Sequence, residues 1–378
     1  MRPVKLASLT FAHFVHDVYT AFFAPLLPKI KEKLELSYFS IGLLYFIQQL
    51  PSFLMPLIGI ISNRPYAKYF VIFAPAVASL VMSFIGVVDN WFLLAVILFV
   101  GGINSALFHV PSPVMIKNVS GKNTGLGMSM YMVGGELSRT LGPLIIMAAV
   151  TYWGLEGTWR LFPFGIVSSF ILFLILRDVE LTSVSTRINF KRIVATLKRN
   201  RFIFLMILGF TVFRAIAKTS LSLFLPVYLN SKTGDYEFSV VSLTILEAGG
   251  VAGVLLSGII SDYLSRKKIL IAVSIISPTL MLLFMIVENP IFSTIILVFL
   301  GFFVFAATPV VLSYIMKIKS HYPAFLNSLY MTISFIGTSV AVFFIGNMAD
   351  LVGLETTYWI SGFIALGAIP FAVFLPDN

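Results

Sequence analysis

Cysteine is absent from the 378 residues, so disulfide frameworks, thiolate zinc sites and cysteine nucleophiles are all excluded. Charge is scarce as well. Only 11% of residues are Asp, Glu, Lys or Arg, against about 25% in an ordinary soluble domain, which excludes a conventional cytosolic enzyme. No phosphate-binding Gly-Lys-Ser/Thr loop follows the glycines at 249–253, and no His-Glu-x-x-His pair or nucleophile elbow occurs. Neither enzyme activity nor a cofactor is therefore expected. The formal charge of +10 comes from basic residues scattered between apolar runs, with no aromatic-flanked basic stripe. Nucleic acid is not an expected partner.

What the chain does have is apolar sequence in long runs, with 58% of its residues hydrophobic. A spanning helix needs about 20 mostly apolar residues. Twelve windows qualify, at 7–30, 38–62, 69–88, 91–116, 125–152, 158–176, 201–229, 237–262, 267–287, 290–316, 325–350 and 356–375; these are spans 1 to 12. Runs such as 93–103 lack the period-2 alternation of barrel strands. Span 1 does not read as a cleaved leader, because His13, His16 and Asp17 interrupt it and no small-residue cleavage site follows. With the N-terminus cytoplasmic, eighteen Lys and Arg fall in cytoplasmic loops and five on the outer side. That bias places both termini in the cytoplasm, in the cell's inner membrane.

The longest interruption, 177–200, carries Lys191, Arg192 and Lys198 beside Ile188, Ile193, Val194 and Leu197 at helical spacing. It reads as a cytoplasmic linker with an interfacial helix on the anionic leaflet. It separates a six-helix bundle at 1–176 from another at 201–378. The halves repeat at an offset of about 199 residues: Gly59-Ile60-Ile61-Ser62 returns as Gly258-Ile259-Ile260-Ser261, and Tyr131-Met132 as Tyr330-Met331. Such a parallel duplication predicts bundles related by an axis along the membrane normal.

The segment Gly258-Ile259-Ile260-Ser261-Asp262-Tyr263-Leu264-Ser265-Arg266-Lys267 resembles the loop signature of the major facilitator superfamily. In its first copy, Gly59 and Arg64 flank Asn63 where the family has aspartate. Three further stretches are similar to the fosmidomycin-resistance branch. They are Ala12-His13-Phe14-Val15-His16-Asp17, Ser105-Ala106-Leu107-Phe108-His109, and Met132 to Gly135 continuing through Leu141-Gly142-Pro143. The resemblance implies an all-α membrane protein of twelve helices in two six-helix bundles. It also implies drug efflux by alternating access, with Gly59, Asn63, Arg64, Gly258, Asp262, Arg266 and Lys267 as a conformational latch.

A charge at a helix centre costs about 2.5 kcal/mol or more to insert, so buried charges are candidate functional groups. Asp17, Glu136, Arg139, Arg214, Lys218 and Glu247 fall in the middle third of their spans, with neutral His16, Gln48, Gln49 and Asn104 at similar depth. His13, His16 and Asp17 stand at i, i+3 and i+4 on one helix face. They suit proton uptake and release, a fixed structural pair, or metal ligation; no resident metal is expected. Glu136 and Arg139 form either an intrahelical bridge or a pair that opens when Glu136 takes a proton. Arg214 and Lys218 share a face and need an anion, either Glu247 or a substrate phosphonate, phosphate or carboxylate. His109 sits before Pro111 and Pro113, where a local hydrogen bond and a transport role are both open.

The expectation is a monomeric, proton-coupled exporter of a small anionic or zwitterionic molecule in the lipid bilayer. Asp17, Glu136, His16 and Glu247 are its proton-coupling candidates. His13, Gln48, Gln49, Asn104, His109, Arg139, Arg214 and Lys218 are its substrate contacts. An importer or uniporter of an organic anion, a lipid flippase, or a metal or metal-chelate transporter are the alternatives on the same fold.

Overall fold

The structure, a computed structural model, describes residues 2–62, 64–179, 190–316, 318 and 323–376. Asn63 and the side chain of Asp262, both expected in the latch, lie outside the described residues. Every regular element among the described residues is helical. Among the described residues, ten helices are long and apolar enough to cross a membrane, and they coincide with spans 3 to 12, from Ala67–Val87 to Leu354–Val373.

Spans 1 and 2 are instead built from pieces, and proline explains both breaks. A proline ring clashes with the carbonyl four residues back and donates no hydrogen bond to it. Pro25 faces Ala21 in this way, and the helix Pro3–Thr20 ends there before Phe23–Lys33 begins. Pro51 acts on Ile47 in the same way, and Tyr38–Gln49 passes through a 3₁₀ segment, Leu50–Leu54, into Met55–Ile61. In span 4 the prolines at 111 and 113 end Trp91–His109, and Ser112–Ser120 resumes beyond the bend. Within the linker, Phe190–Arg199 is helical.

The chain divides into two compact units. One comprises residues 1–36 and 47–185, the other 37–46 and 186–378, so the first part of span 2 groups with the second unit. There the Asp350 carboxylate accepts the N–H groups of Tyr38 at 2.8 Å and Phe39 at 2.9 Å. It thereby satisfies two of the free donors at that helix start.

Each unit holds its own core. In the first, Leu9, Phe108, Met115, Tyr131 and Leu172 are buried together. In the second, Phe210, Val273, Val310, Tyr314 and Ala372 are. The sequence repeat is also a repeat of close contacts. A Cβ on Gly102 of span 4 would stand 2.0 Å from the carbonyl oxygen of Gln48 in span 2. In the second unit, one on Gly301 of span 10 would stand 1.9 Å from that of Leu246 in span 8. The signature serines match as well: Ser62 Oγ donates to the Gly59 carbonyl at 2.8 Å, and Ser261 Oγ to that of Gly258 at 2.7 Å.

The glycines differ in what they must accommodate. Gly301→Ala should destabilise the protein by about 1–3 kcal/mol, since backbone has to move to admit the methyl group. A Cβ at Gly258 meets open space, so Gly258→Ala should raise stability by up to about 1 kcal/mol, alanine being the better helix former. Thermal unfolding in detergent reads both.

Candidate functional site

Span 1 presents its polar residues on one face because i, i+3 and i+4 share a side of a helix, and in the folded unit that face meets spans 4 and 5. Asp17 is the centre, its side chain 15% exposed. His16 Nδ1 lies 2.7 Å from Oδ1, His109 Nε2 3.3 Å from the same oxygen, and His13 Nε2 3.1 Å from Oδ2. Three imidazoles thus converge on one carboxylate, two from span 1 and one from the end of Trp91–His109. The site is wrapped in aromatic surface. His13 stacks on Tyr131 with ring centres 4.0 Å apart, and His16 on Phe108 at 4.3 Å.

The tautomer of His13 follows from its other nitrogen. Nδ1 lies 2.8 Å from the backbone carbonyl oxygen of Tyr131. A carbonyl only accepts, so Nδ1 carries a hydrogen and Nε2 is the nitrogen that meets Asp17. Gly135, one turn along from Tyr131, makes room for the ring: a Cβ there would stand 2.4 Å from His13 Cε1. His16 is fully buried, and its Nε2 has no hydrogen-bond partner among the described residues.

The remaining candidates fall outside this cluster. Glu136 is buried on span 5, with Arg139 Nη1 3.7 Å from its Oε2, an ion pair within one helix turn. Asn104 is buried and donates its amide to the Ala74 carbonyl at 3.1 Å, tying span 4 to span 3. Gln48 and Gln49 are half-buried at the end of Tyr38–Gln49, against the 3₁₀ break.

In the second unit, Arg214 directs Nη2 to the Val304 carbonyl at 2.8 Å and to Thr308 Oγ1 at 2.9 Å. Its Nε is buried without a partner, and no described carboxylate pairs with it. Lys218 lies with Nζ 5.4 Å from the centre of the Phe305 ring, a cation–π contact. Glu247 is buried on span 8. Of the latch candidates, Arg64 is exposed, and Arg266 donates from Nε to Ser313 Oγ at 2.8 Å.

Three contributors escaped the reading from sequence: the Tyr131 carbonyl, the Phe108 ring and Thr308. Tyr131 was marked by its repeat at Tyr330, but nothing in the sequence shows that its backbone carbonyl faces His13. Phe108 stands in the 105–109 stretch as one apolar residue among many, and Thr308 lies in a largely apolar run; neither is singled out as a contact.

Because Gly135 is the floor under His13, Gly135→Ala should push the ring off Asp17 and lower stability by about 1–3 kcal/mol. Combining it with His13→Ala should recover part of that loss. Additive effects of the two changes in a double-mutant cycle of thermal unfolding would refute the contact.

The first unit therefore offers a carboxylate–imidazole cluster inside the membrane, and the second a buried guanidinium on neutral oxygens. The sequence profile of the Major Facilitator Superfamily matches residues 9–342. The fosmidomycin resistance protein of Escherichia coli (strain K12) is 25% identical, covering 99% of this chain and 93% of its own. Among solved structures, a bacterial homologue of the human lysosomal transporter Spinster, in an inward-facing conformation, superposes with a TM-score of 0.77. It is 15% identical, over 99% of this chain and 94% of that one. A D-xylose–proton symporter gives the same TM-score at 13% identity, over 100% and 99%. A match over nearly the whole length, on an all-helical chain with internal duplication and membrane-buried charge, settles the assignment: this multi-pass membrane protein belongs to the Major Facilitator Superfamily of transporters.

Proposed function

We propose that the chain is a secondary active transporter that exports a small anionic or zwitterionic organic molecule by alternating access, driven by the proton gradient. The observation that carries this reading is Asp17 with three imidazole nitrogens at 2.7, 3.1 and 3.3 Å. A proton held among them makes a carboxylate–imidazolium pair whose charges cancel, and its release leaves one negative charge that neighbouring ring N–H groups can hydrogen-bond, which lowers the cost of both states in a low-dielectric setting. Glu136 beside Arg139, and Glu247 in the second unit, are further proton carriers in this scheme.

Substrate class follows from the second unit. Arg214 is a cation held by neutral oxygens, so a bound anionic group would complete its charge balance, gripped by the guanidinium fork with Lys218 as a second positive charge. Arg139, Gln48, Gln49, Asn104, His13 and His109 supply additional polar contacts. Gly59, Asn63, Arg64, Gly258, Asp262, Arg266 and Lys267 form the conformational latch on the cytoplasmic side. The excess of basic residues on that side supports cytoplasmic termini in the inner membrane. The 177–200 linker joins the two bundles in sequence, and the protein works as a monomer. The likeness to a relative named for fosmidomycin resistance supports export.

A thermal-shift screen against phosphonates, organic acids and cationic drugs should name the ligand, because whatever binds the folded state raises its stability by mass action. Arg214→Gln should weaken an anionic ligand by at least about tenfold, the value of one charged hydrogen bond. Stabilisation by cationic drugs alone would overturn the substrate class. In proteoliposomes Asp17→Asn should abolish flux driven by a pH gradient and still bind substrate. Full pH-driven flux in that variant would sink the coupling assignment. Reversing the imposed gradient in the wild-type protein reads the direction.

A further inference from the structure

His13, Asp17 and His109 present more than a hydrogen-bonded cluster. With the His13 hydrogen on Nδ1, bound to the Tyr131 carbonyl at 2.8 Å, the neutral ring turns a bare lone pair at Nε2 toward Asp17 Oδ2, 3.1 Å away. Two acceptors at that distance need a positive charge between them or beside them, either a proton, which makes His13 an imidazolium that donates to Asp17, or a metal ion. His109 Nε2 stands 3.3 Å from the other carboxylate oxygen. One donor atom from each residue lies within 4.8 Å of the other two.

The spacing is that of a metal ligand set. With bonds of about 2.0–2.1 Å to nitrogen or oxygen, a tetrahedral ion holds neighbouring donors about 3.3 Å apart. Each imidazole nitrogen already meets this at one carboxylate oxygen, His13 at Oδ2 and His109 at Oδ1. His109, whose side chain is 27% exposed, has the most room to close the remaining one. The outer contacts are also those that orient metal ligands. A backbone carbonyl fixes the tautomer of His13, and His16 Nδ1 holds the Asp17 carboxylate at 2.7 Å. Two imidazoles and one carboxylate suit zinc, nickel or cobalt(II) far better than magnesium or calcium, which take oxygen ligands.

We propose that His13 Nε2, His109 Nε2 and the Asp17 carboxylate form a binding site for a divalent transition-metal ion of the zinc–nickel–cobalt class. The fourth position stays open on the side of His109, where the exposure lies. It can take water or a donor atom of a bound small molecule. Metal in this site would leave a net charge of one positive unit where the carboxylate alone leaves one negative. The inference stands on the geometry of the first unit and does not require the cluster to carry protons.

The test is isothermal titration of tag-free, full-length protein in detergent with zinc chloride, with magnesium chloride as the hard-cation control. Cobalt(II) added in parallel reports coordination through its visible ligand-field bands. The expected result is one zinc per chain, no heat with magnesium, and cobalt bands of a four- or five-coordinate nitrogen–oxygen site. His109→Ala and Asp17→Asn should each weaken zinc by at least about tenfold. His321→Ala, which changes the histidine remote in sequence from the cluster, should leave it unchanged. His109→Asp replaces one ligand with another and should regain the binding that His109→Ala loses, which separates ligation from misfolding. No stoichiometric binding, binding that survives both losses, or no recovery in His109→Asp would overturn the site. Binding is read without substrate or gradient, so its absence leaves the transport proposal intact. Loss of pH-driven flux likewise leaves metal binding to be judged on its own.

Discussion

A carboxylate on a membrane-crossing helix has to be met by donors or it cannot stay ionised there, and much of the first unit is arranged around meeting Asp17. His13 and His16 arrive by helical periodicity alone. His109 arrives from the last turn of Trp91–His109, where the packing of span 4 against span 1 sets its ring beside His13. Tyr131 then fixes His13 through a backbone carbonyl, and Gly135 leaves the ring its space. Remove any one of these and the carboxylate loses a partner in a setting where water cannot easily replace it.

The two units share a scaffold and differ in chemistry. The same glycine-to-carbonyl contacts and serine-to-glycine bonds occur in both. Yet the position of His16 in the first unit corresponds by repeat to Arg214 in the second. The first unit surrounds a negative group with titratable nitrogens. The second surrounds a permanently positive group with a carbonyl and a hydroxyl. Duplication supplied the frame, and divergence at matching depths placed titratable nitrogens around a carboxylate in one unit and neutral oxygens around a guanidinium in the other.

Much of the fold was legible because hydrocarbon thickness dictates span length, and composition reports it directly. Spans 3 to 12 stand where the apolar windows lie. The breaks in spans 1 and 2 were less visible, since hydropathy averages over a helix and is blind to hydrogen-bond geometry; the prolines at 25 and 51 were the available sign. At the site, the grouping of His13, His16 and Asp17 followed from spacing. His109 did not, because its contact with Asp17 spans 92 positions and depends on how spans 1 and 4 face each other. Asn104 shows the opposite case. Its depth suggested a cavity role, while its amide joins two neighbouring helices. Polarity at membrane depth identifies a residue that must be satisfied, without saying by what.

The paired contacts at Gly102 and Gly301 carry a consequence for how such a chain can change length. A single residue inserted upstream within span 4 or span 10 would turn the following residues by about 100° around the helix axis. The glycine would leave the carbonyl, and in span 10 the bulkier Leu300 would take its place and collide with it. Drift in length is thus tolerated between helices and forbidden inside them. The repeat bears this signature: Gly102 and Gly301 are 199 positions apart, and their partners Gln48 and Leu246 are 198 apart. The frame keeps its phase in the membrane and takes up the one-residue difference elsewhere.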